Sequence, residues 1–147
     1  MHDEDREAEM IEVACDYAMQ FAGTPYIWGG NNPLEGFDCS GFAQEILAAM
    51  GLDPRGDQTA QMLYDHFIEE GIEMEPQRGC LAFFGEEERI THVAFCLSED
   101  QMIEAGGGGR ACKDEESAAA HGAYVRVRAL DARSDLVACI YPFAEEE

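Results

Sequence analysis

Between residues 5 and 22, apolar side chains recur at Ala8, Ile11, Ala14, Cys15, Ala18, Met19 and Ala22, with acidic positions in the gaps. That period predicts an amphipathic helix, ended by Gly23-Thr24-Pro25. Residues 26–36 are rich in Gly, Asn and Pro and read as loop. A second helix is predicted from Cys39 or Ser40 through Phe42, Ile46, Leu47 and Met50, stopping at Gly51. A third is expected to have Asp57 as its N-cap and Ala60, Leu63, Tyr64 and Phe67 on one face.

After Gly71 the pattern changes. Short segments rich in β-formers follow at Cys80–Phe84, His92–Leu97, Gln101–Glu104, Tyr124–Ala129 and Leu136–Phe143. Gly106–Gly109 reads as a flexible loop, and Glu115–Gly122 as either a short helix or disorder. Helices first and antiparallel strands afterwards predict an α+β fold, one helical layer packed on one sheet. The 147 residues fit a single domain, 1–147, with a core over about residues 7–143. The charged ends, Met1–Arg6 and Glu145–Glu147, are expected to fray.

Charge narrows the function. Nine Lys and Arg face 31 Asp and Glu, a net charge of −22, which repels nucleic acids and anionic membranes. No run approaches the length of a membrane span. The acidic start, Met1-His2-Asp3-Glu4-Asp5, lacks the basic-then-apolar order of a signal peptide. The expectation is a protein cytoplasmic as made, reaching any outside target by lysis or on a virion. Asp3–Asp5, Glu86–Glu88 and Glu145–Glu147 read as solvated surface.

The six cysteines form no CxxC pair, and no metal or cofactor is expected. Cys15, Cys80, Cys96 and Cys139 lie in apolar contexts and are expected reduced and buried, whereas Cys112 sits in a polar, exposed loop. Cys39 differs. Flanked by Asp38 and Ser40 at a predicted helix start, it faces unpaired backbone N–H groups and the positive end of a helix dipole, both of which favour a thiolate. His92 opens an apolar, strand-like run and supplies a general base. Together they point to a cysteine hydrolase. His2, His66 and His121 have no comparable context.

Four segments carry a resemblance: Pro25-Tyr26-Ile27-Trp28-Gly29-Gly30, Asp38-Cys39-Ser40-Gly41-Phe42, Gly79-Cys80-Leu81-Ala82-Phe83-Phe84 and Thr91-His92-Val93-Ala94-Phe95. In this order they are similar to the NlpC-type peptidases, papain-like cysteine hydrolases that cut peptidoglycan stem peptides. The resemblance covers about residues 10–142. It implies a papain-like α+β fold with N-terminal helices on a C-terminal antiparallel sheet, Cys39 as nucleophile and His92 as base. The position that orients the imidazole in the family falls on Glu104, a carboxylate where the family usually has His, Asn or Gln. A carboxylate there would raise the His92 pKa and favour a thiolate–imidazolium pair. Tyr26, Asp38 and Ser40 match residues bordering the family's substrate cleft, while Trp28 is expected to pack in the core. At Gly79-Cys80 the family commonly has Gly-Asp.

The implied substrate is a stem peptide, cut at the bond after D-glutamate. Two alternatives stay open: another Cys-dependent acyl-transfer enzyme, an amidase or acyltransferase, on the same fold; or a non-enzymatic structural or assembly module of a phage particle. The missing export signal suits a bacteriophage lysis or tail component with phage partners.

Overall fold

The computed structural model describes residues 3–32, 36–107 and 113–144. His2, Cys112, the C-terminal acidic run and the end of the Gly106–Gly109 loop lie outside these residues.

Helix α1 spans Asp3–Met19 and buries Ile11, Ala14, Cys15 and Ala18. It begins earlier than the apolar period predicts and runs through residues expected to fray, because acidic side chains in a first turn complement the helix dipole. Ala8, Met19 and Ala22 are exposed. Two tiny strands, β1 (Asn31–Asn32) and β2 (Gly36–Phe37), form a ribbon inside the predicted loop. Helix α2, Cys39–Ala49, follows at the predicted place. Its side chains Phe42, Ala43, Ile46 and Leu47 are all buried, each large one contributing roughly 1.5–3 kcal/mol on burial.

Helix α3 is Ala60–Glu70, and its cap corrects the expectation of Asp57. Thr59 is the N-cap, its Oγ1 accepting from the Met62 backbone N–H at 3.1 Å. Asp57, two residues further out, lines the cleft described below.

The sheet contains β3 (Ile72–Met74), β4 (Leu81–Glu86), β5 (Arg89–Cys96), β6 (Gln101–Gly106), β7 (Tyr124–Ala129) and β8 (Leu136–Tyr141). Its order is β3-β8-β4-β5-β6-β7, antiparallel throughout. The edge strand β3 was not anticipated, since three residues are too few to show a period of two. Between β6 and β7 lies helix α4, Glu115–His121, so that segment is a short helix and not disorder. Asp114 caps its start, and Gly122 ends it at φ +63°, a conformation that favours glycine.

Alternation along the strands divides the sheet side chains into two clusters. Leu81, Phe83, Val93, Phe95, Ile103, Ala105 and Ile140 join the helices in the main core. Cys80, Ala82, Phe84, Ala94, Cys96, Met102, Leu130 and Cys139 form a second, smaller cluster. The sheet is thus buried on both faces, more than a single helical layer would achieve. Cys15, Cys80, Cys96 and Cys139 are buried free thiols, as expected. Burial raises the thiol of Cys15 and pushes that of Cys80 up to about 11, so both are poor nucleophiles at neutral pH.

One polar residue of α2 shapes the approach to the site. Buried Gln44 donates Nε2 to Asp53 Oδ1 at 3.0 Å and to the Gly56 carbonyl at 2.9 Å, and its Oε1 accepts from the Gln58 N–H at 2.9 Å. It pins the 53–58 loop, which carries Asp57 and Gln58 to the cleft. Gln44→Leu removes these bonds and is expected to cost about 1–3 kcal/mol, the scale of polar groups left unpaired on burial. Urea unfolding should show the loss, and limited proteolysis should nick the loop faster.

Candidate active site

The loop that precedes α2 is built by close backbone approach. Gly23 N–H donates to Val125 O at 2.8 Å, Val125 N–H to Thr24 O at 2.8 Å, and Tyr26 N–H to Ala123 O at 2.9 Å. These bonds lay residues 23–26 along β7 and seat Tyr26. Beyond it, Gly29 has φ +75°, which favours glycine. A Cβ on Gly30 would lie 2.7 Å from Gly36 O and 2.9 Å from Ile27 O, so only glycine lets the chain fold back tightly. The Trp-Gly-Gly triplet therefore serves geometry. Asp38 N–H then donates to Gly30 O at 2.9 Å, fixing where α2 begins.

Asp38 is the N-cap of α2: its Oδ1 accepts from the Gly41 N–H at 2.7 Å and from Ser40 Oγ at 3.2 Å. Burial raises its carboxyl pKa, against the lowering by those two bonds. Cys39 is the first residue of the helix and is partly exposed to the cleft. The sulfur therefore sits where the sequence placed it.

His92 comes from β5, against which α2 packs. It is 7% exposed and hydrogen-bonded to Cys39 on one side and to Glu104 on the other. The second bond joins Nε2 to Glu104 Oε1 at 2.7 Å, leaving Nδ1 as the nitrogen for the sulfur. Phe84, opposite His92 in the β4–β5 register, lies with its ring centroid 5.6 Å from the imidazole and limits its tilt.

Glu104, on β6, is 1% exposed yet fully committed. Oε1 faces His92, while Oε2 accepts from Arg128 Nη1 at 3.0 Å and Arg126 Nε at 3.2 Å. Both arginines come from β7, where Arg126 pairs with Glu104 in register. The long carboxylate arm is thus clamped between a base and two cations. Burial would raise its pKa, but the bonds from His92 and Arg128 pull it down to about 2. Burial likewise would lower the imidazole, and the bonds to Cys39 and Glu104 overcome that and raise it to about 9.

The sign of these shifts sets a stability expectation. For His92 the folded value lies above the unfolded value of about 6.5, so its contribution is complete below pH ~6.5 and is lost as pH rises through about 9. For Glu104 the folded value is depressed, so its contribution is present above pH ~4.5 and is lost as pH falls toward about 2. Melting temperature should decline across both windows, and calorimetry in a pH series checks it.

Two cavities meet at Cys39. One, about 350 Å³, is lined by Tyr26, Trp28, Asp38, Ser40, Asp57 and Thr91 among others. The other, about 210 Å³, extends past His92 and Glu104 to Gly106, Gly107, Arg126 and Arg133. Tyr26, Asp38 and Ser40 all line the first of these cavities. Trp28 corrects the expectation of core packing: it is 48% exposed and lines both cavities. Its loop points it outward from the Gly29 turn, and an aromatic content alone cannot distinguish core from cleft. A larger cavity, about 510 Å³, lies elsewhere, around Leu130 and Leu136. His66 and His121 are exposed and take no part, His121 bonding the Ser117 carbonyl of its own helix. Among the described residues no cluster of His, Cys, Asp and Glu has the arrangement of a metal site.

Sequence reasoning did not assign Arg126 and Arg128 as the clamp on Glu104. Their i, i+2 spacing on a strand next to that of Glu104 was the available signal.

Comparison with known proteins bears on the same residues. The NlpC/P60 family matches residues 23–129. The chain is 37% identical over 114 residues to the bifunctional muramidase/DL-endopeptidase CwlT of Bacillus subtilis, covering 74% of this chain and 33% of that protein. It is 35% identical over 92 residues to the probable endopeptidase p60 of Listeria grayi, covering 63% of this chain and 17% of that protein. The chain thus spans a third or less of the length of these relatives. Among solved structures, the NlpC/p60 domain of the peptidoglycan hydrolase SagA superposes with a TM-score of 0.65 at 27% identity, covering 88% of this chain and 97% of that one.

Proposed function

The chain belongs to the NlpC/P60 family, and on that premise we propose that it is a cysteine endopeptidase hydrolysing peptidoglycan stem peptides at the bond after D-glutamate. The observation that carries the reading is the partly exposed Cys39 beside buried His92 and Glu104, all three lining one cavity, with the imidazole raised to about 9.

The chemistry follows from the geometry. Cys39 Sγ, its proton already held on His92 as the imidazolium, attacks the peptide carbonyl carbon. Glu104 and the arginines behind it hold the imidazolium in place. The backbone N–H of Cys39, at the start of α2, faces the developing oxyanion. The C–N bond breaks as His92 returns the proton to the leaving amine, leaving a thioester on Cys39. A water, deprotonated by His92, then hydrolyses the thioester and restores the thiol.

A synthetic stem peptide incubated with the protein tests the reading. Cleavage after D-glutamate, seen by mass spectrometry as a free amine on the next residue, supports it. An intact peptide in the presence of folded protein contradicts it, and release of the whole stem peptide from a sugar-linked muropeptide assayed alongside would favour the amidase alternative.

The charge of −22 adds an expectation about the polymer. Anionic wall polymers repel the protein, and the screening length falls from about 30 Å at 0.01 M salt to about 10 Å at 0.1 M. Whole-wall digestion should therefore speed up over that range, while cleavage of small neutral fragments should change little. Turbidity clearance of purified walls measures the first and chromatography of fragments the second.

A further inference from the structure

Among the described residues, none from α1–α4 joins the second, smaller cluster of the sheet. Leu130, in the turn after β7, is one of its members, and beside it opens the cavity of about 510 Å³. That volume falls within the span of ligand pockets, roughly 300–1,000 Å³. The cavity stands apart from the catalytic one. Gln101 lines it from the first residue of β6, whereas Gly106, at the other end of the strand, lines the cavity of Cys39 and His92. Five residue steps along a strand separate the two by about 17 Å.

Its floor is apolar, made by Pro76, Ala129, Leu130 and Leu136, and Leu136 is a large side chain left 41% exposed. Its rim is acidic. Glu99 and Asp100 come from the turn between β5 and β6, and Asp131 from the turn between β7 and β8. All three are exposed, and none takes part in an ion pair among the described residues. Arg133 in the wall is already spent on Asp135, giving Nε to Oδ1 at 2.9 Å and Nη2 to Oδ2 at 2.8 Å. It therefore brings no net charge to the cavity.

An apolar floor inside a ring of unpaired carboxylates fits an apolar anchor flanked by cations. Three carboxylates on two separate turns ask for more than one positive charge, which a basic peptide supplies and a single small amine does not. A second copy of this chain carries the same −22 and the same acidic rim, so it is repelled. We propose that this cavity is a docking site for a basic segment of a partner protein, with an aliphatic or aromatic side chain seated on Leu130 and Leu136 and neighbouring Lys or Arg facing Glu99, Asp100 and Asp131. The acidic field draws such a partner from a distance, and the cavity sets where it seats. Cys39, His92 and Glu104 line other cavities, so an occupant here leaves the cleft open.

Calorimetry with a capped peptide, Lys-Lys-Leu-Phe-Lys-Lys, at about 0.15 M salt tests the site, against a control in which Ser-Ser replaces Leu-Phe. The anchored peptide is expected to bind about tenfold more tightly than the control. Glu99→Gln with Asp131→Asn should weaken it about fivefold, whereas Glu9→Gln with Glu12→Gln, which removes the same charge from the exposed face of α1, should change it less than about twofold. Leu136→Asp separates seating from mere charge. Attraction by the field alone would tighten binding to this more acidic variant, while loss of the floor loosens it about tenfold. Should Leu136→Asp not fold, the two double variants decide alone. Equal affinity for both peptides, equal losses in the two doubles, or tighter binding by Leu136→Asp would overturn the proposal. So would displacement of the peptide by phenethylammonium at an equal concentration, which would give the cavity to a small amine. Cleavage of small wall fragments should be the same in all these variants, so the site and the peptidase reading stand or fall separately.

Discussion

Cys39→Ser is expected to reduce hydrolysis at least about 10³-fold while leaving the melting temperature close to that of the wild type at neutral pH, since removing an activated nucleophile usually costs several orders of magnitude. Asp38 still accepts from the Gly41 N–H and caps α2, and serine differs from cysteine by one atom in a partly exposed place. A secondary effect separates this variant from one that is merely misfolded. The bond to Cys39 is the first of the influences raising the His92 pKa, so its loss should lower the upper pH at which the imidazolium survives. Histidine NMR signals followed through a pH series report that shift. Retention of more than about a tenth of the activity would exclude Cys39 as nucleophile.

Glu104 carries the second large expectation. Glu104→Ala leaves His92, Arg126 and Arg128 without the carboxylate that joins them, and breaking a buried charged cluster by removing one member costs about 3–5 kcal/mol. Activity should fall about 10²-fold or more, because the imidazole loses its orientation. Glu104→Gln preserves an oxygen for the His92 ring and is expected to stay active near neutral pH. Its signature is the pH–rate profile. With the charge gone, the basic limb should move from about 9 toward about 6.5, the value of an unperturbed histidine. A profile unchanged in both variants would remove Glu104 from the machinery.

Much of this site was legible because its parts are local. Asp38-Cys39-Ser40-Gly41 is a helix start, and a helix start is written in a few consecutive residues: a capping acid, a small residue, then an apolar run. The pairing of Glu104 with His92 is legible only through the family resemblance, and the short turn between the consecutive strands β5 and β6 brings the two together. The α2 and β7 segments likewise follow their periods, and β8 is a short continuous apolar run rich in β-formers. What stayed hidden depends on pairing over distance. The clamp of Arg126 and Arg128 requires the register of β6 against β7, with α4 intervening in the chain. The exposure of Trp28 follows from where residues 23–26 dock along β7, a set of backbone bonds with no side-chain signature. Asp57 and Thr59 are both good caps by residue type, so the sequence alone does not distinguish them, and in the structure Thr59 makes the capping bond.

The measurement that tests the central claim most directly is digestion of purified peptidoglycan by the wild-type and Cys39→Ser proteins side by side, with the soluble fragments identified by mass spectrometry. The account predicts that the wild type releases peptides beginning with the residue after D-glutamate, leaving D-glutamate with a free carboxyl, and that Cys39→Ser releases none. Fragments cut elsewhere, or the same fragments from both proteins, would contradict it.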